Sequence, residues 1–592
     1  MMTNQVGKWI RVLAITVLFI GLIPQLGQAS ASEENRSWVE YTEKIMAKDQ
    51  ENGTLELELQ GEIKLAKNYD VTQKGENRVY QNTLDDVRVG AENVTVRVNH
   101  KNEITKVFID GPTPIESMRV GIMTSGFATV DHETVVLSSQ AGLEIVDKLA
   151  GETLSIAAGE KVTFAPDSGE ITVTGANGDV LYTTPNRLYA FTEEGSKIKV
   201  ENITRASGDP SYRGFFEITT SEAGDKLNLI NEVDFEQYLY QVVPSEMPAY
   251  FGLNALKAQA VAARTYALGD YLSDRFAKDG FFVLDSVMSQ VYNNTPENAI
   301  TTQAVNETAG VIMLGEDGSL VDARYYSTSG GYGASKHQVW AESDGTFPSE
   351  VLPYLIAQSH TFDPNDPSQM LEIDTQSEEE ILEFYKTLSH TGYDGNSPWF
   401  RWKVSLSKEE LENTINANII SRQAADPKFV LTENEAGEFV SQPIPEEGIG
   451  ELVDMYVAKR GDGGNIMELV IEGTTGTYKI IKEYNIRFTI RPSNAFTGDG
   501  NVVLHRATAG STDYTGTLNN YTILPSAFFG FEVDEEKGVT FYGGGNGHGV
   551  GMSQYGAYYL GTTLGYEYDS ILTTYYPNMS LNDLSVLTNL AK

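Results

Sequence analysis

The sequence predicts an α+β protein, with a β-rich N-terminal region followed by a mixed α/β domain built around one buried, alanine-rich helix. Three observations carry that prediction. Residues 55–230 hold short runs of period-two apolar alternation separated by Gly, Asn and Asp. Residues 252–272 (GLNALKAQAVAARTYALGDYL) place Leu253, Leu256, Ala260, Ala263, Ala267 and Tyr271 at three- and four-residue steps with no proline among them. Strand patterns then return beyond residue 450. A chain of 592 residues is too long for a single core, so two to four domains are expected.

Taken in order, Lys8 and Arg11 precede an apolar run over residues 12–23, Pro24 breaks it, and Ala29-Ser30-Ala31 offers a small-residue cleavage site. That is the layout of a secretory signal peptide over residues 1–31. The apolar run is about half the ~20 residues a membrane span requires, so membrane attachment is expected only if the segment is retained. Alternation over residues 55–59 and 94–98 predicts strands, as do residues 118–123, 134–137, 161–164 and 170–173. Residues 175–179 (GANGD) read as a turn. Pro112 and Pro114 resist regular structure, which puts a boundary near residues 111–114. The expected division is therefore an accessory β-rich region over 32–115, a second β-rich part over 116–230, and a core over 231–592 with an insertion near 360–450. A further helix is expected over 378–388, loops over the polar, acidic stretch 423–450, and strands near 455–458, 467–471 and 540–542.

Composition excludes several functions. There is no cysteine, which removes disulfides, thiolate metal sites and cysteine nucleophiles. The net charge of −39 repels phosphate backbones, so no nucleic-acid partner is expected. Recognition of any anionic polymer would need a local cleft of aromatics, hydroxyls and a few basic groups.

The chemistry-bearing candidate is Glu246, in VVPSEMP (242–248) immediately before the alanine-rich helix. A glutamate between apolar residues and two prolines sits in partly dry surroundings on a restrained backbone, and desolvation raises a carboxyl pKa toward what a general acid needs. The alternative is a glutamate approaching a helix N-terminus, where it complements the dipole. The glycine-rich stretch GGGNGHGVGMSQYGA (543–557) lacks the G-K-[ST] of a phosphate loop and the strand–G-x-G-x-x-G–helix of a dinucleotide site. With only seven histidines and no H-E-x-x-H, no metal or cofactor is expected; the glycines are read as permitting close backbone approach. Ser327 and Ser329 have no His/Asp partner set by spacing.

The run VVPSEMPAYFGLNALKAQAVAARTYAL (242–268) is very similar to the hallmark of the stage II sporulation protein D (SpoIID/LytB) family, and Glu246 matches the family's catalytic glutamate. Tyr212-Arg213-Gly214, the 235–239 segment FEQYL, Ser289-Gln290-Val291-Tyr292, the 326–331 segment YSTSGG, Val339-Trp340 with Pro353-Tyr354-Leu355, and the 547–557 segment GHGVGMSQYGA resemble further family elements in the same order. Gly333 stands where relatives commonly have threonine, and Asn293 where they have glycine. Some relatives bind zinc through cysteine and histidine; without cysteine that site is not carried over.

The resemblance implies lytic-transglycosylase cleavage of peptidoglycan glycan strands already stripped of peptide, at an extracellular, cell-wall or sporulation intermembrane location. A single acid suffices there: the muramic C6 hydroxyl is a tethered nucleophile, whereas ordinary glycosidases need two carboxylates. Arg264, Tyr354, Ser329, His548 and Gln554 become candidate substrate contacts, each with a structural alternative; for Arg264 and Lys257 that alternative is a solvated or salt-bridged helix face. A second reading, from relatives described as modifiers of cell-wall amidases, is a non-catalytic wall-binding enhancer with an amidase partner. A structural coat or surface protein is a third.

Overall fold

The computed structural model describes residues 38–292, 295–498, 500–534 and 538–588. The expected signal segment and Asn293 lie outside those residues. Among the described residues the fold mixes sheets and helices as an α+β protein, with a β-rich N-terminal part.

Residues 38–109 form a seven-stranded sheet in which Gly61–Lys74 runs parallel to Glu103–Ile109 and the remaining pairs are antiparallel. Alternation does the work expected of it: Val94, Val96 and Val98 are buried while Thr95 and Arg97 are not. These side chains join Ile45, Leu55, Ile63 and Ile109 in a small core of their own. No strand forms between Ile109 and Ser117, across the Pro112 and Pro114 segment. A six-stranded and an eight-stranded sheet follow, and both bury their inner faces in the largest core, which also takes in the helices.

The first sheet is fastened to the second part by buried charges. Lys44 Nζ lies 2.7 Å from Glu232, Arg119 pairs with Glu217 at 2.7 Å and also with Glu232, and Arg187 bridges Glu217 and Glu56 at 2.7 Å each. Arg119 and Glu217 are fully buried. The accessory sheet is therefore a built-in part of the molecule.

Helices α1 (Phe235–Glu246), α2 (Leu253–Ser273) and α3 (Ala299–Glu307) come next. Residues on all sides of α2 are buried, as a helix this rich in alanine permits, and it packs against α1, α3 and the strand Val311–Gly315. Helix α1 was not expected. Asp234 caps it by accepting from the Gln237 N–H at 2.9 Å, and Pro244 is tolerated near its end. Helix α4 (Glu378–Lys386) stands where sequence placed it. The strands Val430–Glu433 and Phe439–Val440 are a correction, because residues 423–450 were expected to be loops; helix α5 (Lys408–Ala425), nearly all of which precedes that stretch, was not expected. Ser407 and Glu410 form a capping box that starts α5, and its buried face carries Leu411, Ile415 and Ile419.

Two five-stranded sheets, together with α5, α6 (Glu483–Thr489) and α7 (Asn494–Thr497), enclose a separate core running from Trp402 to Phe541. The chain then returns to the main core through α8 (Gln554–Thr562) and α9 (Tyr568–Tyr575), which pack on α2.

Candidate active site

Glu246 is the last residue of α1, so it stands at the negative end of that helix dipole and not at the positive end of α2. Met247 turns extended before Pro248, which ends the helix. The carboxyl Oε1 accepts from the Val291 N–H at 2.9 Å, and the Tyr325 hydroxyl bonds the same carboxyl. Burial outweighs those bonds and pushes its pKa up to about 7. The dry setting expected from sequence is present, with a different backbone cause.

The SQVY element (289–292) builds this pocket. Gln290 accepts from the Tyr238 hydroxyl at 3.1 Å and donates to the Ala263 carbonyl at 3.1 Å and to the Tyr325 hydroxyl at 3.3 Å. It thereby aims Tyr325, while Val291 supplies the N–H to Glu246 and Tyr292 donates to Asn231 at 2.7 Å. From the opposite end of the chain, Gln554 Nε2 donates to the Glu246 carbonyl at 2.9 Å and contacts Gln259 at 3.3 Å.

The GHGVG loop is stitched to the segment after Tyr325. Tyr325–Tyr326 pairs with Met552–Ser553, and Thr328–Ser329 with Gly545–Asn546. Gly551, at φ 77°, meets the Arg324 carbonyl so closely that a Cβ would lie 1.9 Å from it. The close backbone approach expected of these glycines is thus met.

Glu246 opens onto a cleft of about 920 Å³. One wall carries Tyr266, Arg324, Tyr325, Trp340 and His548; the facing wall, from the second core, carries Tyr484, Arg487, Phe488 and Arg491. Arg324 is paired with Asp322 at 2.7 Å and lies 5.1 Å from the rings of both Tyr266 and Trp340. Glu483 is the other acidic residue of the lining among the described residues; it is buried and paired with Arg487 at 3.0 Å.

Of the residues singled out in the sequence, the structure brings Glu246, His548 and Gln554 together. His548 lines the cleft with its ring edge-on to Trp340 at 4.9 Å. Its Nδ1 accepts from the Val550 N–H at 3.1 Å, and burial, aided by Arg324 and Arg487, lowers its pKa to about 3, so the ring is neutral. Gln554 lies beneath the cleft and reaches the backbone of Glu246.

The other three belong elsewhere. Arg264 is fully buried, fixed to Glu236 at 2.6 and 2.8 Å and to the Val311 carbonyl at 3.1 Å; its structural alternative is the one realised. Lys257 likewise pairs with Glu307 at 2.6 Å. Tyr354 is buried, its hydroxyl accepting from the Asp322 N–H at 3.4 Å. Ser329 is buried beside His360 Nδ1 at 3.1 Å, and Asp394 accepts from the Ser329 N–H at 2.9 Å and from the Ser553 hydroxyl. All members of this Ser-His-Asp grouping are buried and none lines the cleft, so it is an internal network and not a nucleophile. Gly333 is also buried and does not line the cleft, and a Cβ there would press on the Gly549 carbonyl and His360 at 3.3 Å.

Sequence reasoning missed Tyr325, Arg324, Tyr266 and the whole facing wall. Tyr325 adjoins the YSTSGG element and was within reach; the facing wall comes from a region without recognisable elements. Among the described residues no three His, Asp or Glu side chains are grouped to hold a metal.

Fold and site together define an α+β protein with a cleft organised around one carboxyl whose pKa is raised to about 7. Residues 223–314, which include Glu246 and the SQVY element, match the family model SpoIID, Stage II sporulation protein. The chain is 28% identical over 464 residues to the "Amidase enhancer" of Bacillus subtilis (strain 168), covering 78% of this chain and 55% of that protein. It is 29% identical over 194 residues to "Stage II sporulation protein D" of the same organism, covering 30% of this chain and 54% of the relative. The protein of that name from Bacillus amyloliquefaciens is 29% identical over 155 residues, covering 24% of this chain and 42% of the relative. The chain thus spans about half the length of the curated relatives it matches.

Proposed function

We propose that this protein is an exported cell-wall enzyme that cleaves peptidoglycan glycan strands as a lytic transglycosylase, with Glu246 as its acid and then its base. A cell-wall role is supported by the SpoIID match and by the relative named as an amidase enhancer. The observation that carries the finer reading is the carboxyl of Glu246, at the floor of a glycan-sized cleft, with a pKa raised to about 7. At neutral pH such a group is protonated in about half the molecules and ionised in the rest, which suits a group that must first give and then take a proton.

The steps balance on one residue. Glu246 gives its proton to the glycosidic oxygen as the C1–O bond breaks, and the leaving sugar departs with a free hydroxyl. The C6 hydroxyl oxygen of the same muramic unit bonds to C1, and its proton passes to the Glu246 carboxylate. Val291 N–H and the Tyr325 hydroxyl stabilise the carboxylate between the two transfers. A water-using mechanism needs a second carboxylate free to activate the water, and Glu483 is buried and engaged in an ion pair with Arg487.

The relative's name supports a second reading, in which the protein stimulates a wall amidase; the fastened accessory sheet offers surface for such a partner. Incubation of peptide-free strands with the protein and with Glu246→Gln separates the two. Anhydro-muramyl fragments from the first protein alone support the enzyme. Uncut strands, with equal stimulation of an added amidase by both proteins, establish the enhancer instead.

A further inference from the structure

The facing wall of the cleft holds an arginine in an unusual state. Arg324 is neutralised by Asp322 and Arg487 by Glu483, yet Arg491 has no ion pair among the described residues. It is nonetheless held in place. Its backbone N–H donates to the Thr414 hydroxyl of α5 at 3.1 Å, and that hydroxyl donates to its carbonyl at 3.0 Å. Its Nε donates to the Thr522 carbonyl at 2.6 Å, and its guanidinium carbon lies 3.9 Å from the Phe496 ring centroid and 4.6 Å from that of Phe488. The aromatic rings and Thr522 fix the plane of the guanidinium, and its Nη atoms donate no hydrogen bond among the described residues. A planar fork held this way, at the wall of a cleft, matches a carboxylate.

We propose that Arg491 binds a carboxylate carried by the glycan itself, the free lactyl carboxylate of a peptide-free muramic unit, and so selects stripped strands over peptide-bearing ones. This rests on the glycan-cleaving reading of Glu246. Stripped strands expose such a carboxylate on every second sugar, whereas in peptide-bearing strands it is consumed in an amide. A net charge of −39 repels anions at long range, so an anionic ligand requires a local, unneutralised cation where it docks. Arg491 meets that requirement. Its position lies outside residues 223–314, on the second core that the SpoIID match does not include.

The test measures binding in the full-length protein carrying Glu246→Gln, so that ligands are not cut. Peptide-free glycan oligosaccharides are titrated calorimetrically as free acids and as lactyl methyl esters, against that protein and against versions also carrying Arg491→Gln or Arg491→Lys. The expected result is about tenfold or stronger preference for the acid, abolished by Arg491→Gln and partly kept by Arg491→Lys. The acid–ester comparison on unaltered Arg491 does not depend on how any Arg491 variant folds. Equal binding of acid and ester with Arg491 present overturns the inference while leaving glycan recognition standing. A preference for peptide-bearing strands that vanishes in Arg491→Gln also overturns it and moves the carboxylate to the peptide. Failure of every strand to bind overturns both this inference and the function it rests on.

Discussion

Gln554 Nε2 donates to the main-chain carbonyl of Glu246 at 2.9 Å across 308 residues of sequence, so the two hallmark segments of the chain meet at the carboxyl-bearing residue. The contact is to backbone, not to the carboxyl. Gln554 therefore sets where α1 ends and where the Glu246 side chain starts, from outside the cleft lining. It is a positioning residue.

Gln554→Ala removes that anchor. The expected outcome is a fall in kcat of about 10- to 100-fold with KM little changed, since displacement of a reacting group by a fraction of an ångström costs rate more than binding. Steady-state kinetics on glycan strands reads the split; an unchanged kcat contradicts the positioning role.

This contact also marks where sequence reading ends. Helix α2 was legible because its evidence is local: alanine density and a three- to four-residue period. Helix α5 was legible in principle through the capping pair Ser407 and Glu410, but no element was expected over residues 408–422. Helix α1 was hidden by Pro244, which argues against a helix unless it falls near the end, as here. Glu246 could be picked out and its raised pKa expected. Which of Arg264, Tyr354, Ser329, His548 and Gln554 reach it could not, because Glu236, Asp322 and His360 claim three of them through contacts no spacing encodes.

The acid role proposed for Glu246 implies a pH dependence. Its protonated form is needed first, so cleavage should fall as pH rises through about 7. Tyr325→Phe takes away a hydrogen bond that favours the carboxylate and should move this alkaline limb upward. Rates of both proteins across pH 5–9 check it; a limb that stays in place contradicts the contact.

Stability carries a second signature of the same residue. Because the folded pKa of Glu246 is raised from its ordinary 4.5 to about 7, the stability of its neutral form is fully present below 4.5 and lost as pH rises through about 7. Glu246→Gln escapes that loss, so at pH 8 it should be the more stable protein by about 1–3 kcal/mol, with the difference vanishing near pH 4. Denaturant unfolding at both pH values measures this, and a less stable variant at pH 8 runs against it.

The buried charges beneath the accessory sheet give the opposite sign. Burial alone would raise the pKa of Glu217, but Arg119 and Arg187 outweigh it and hold the carboxyl down to about 2. Its contribution is present above the ordinary 4.5 and lost as pH falls toward 2. Glu217→Gln leaves Arg119 without its fully buried partner and should cost about 3–5 kcal/mol at pH 7. Urea midpoints at pH 7 and pH 3 read both effects; a neutral substitution at pH 7 contradicts the fastening role of the network.

The central claim, that one carboxyl directs intramolecular cleavage, is tested most directly by cutting peptide-free strands in water enriched in heavy oxygen and weighing the new ends. The account predicts anhydro-muramyl ends without heavy oxygen from the native protein, and no new ends from Glu246→Gln. Reducing ends carrying heavy oxygen would contradict it, because water would then be the nucleophile and a second carboxylate would have to activate it.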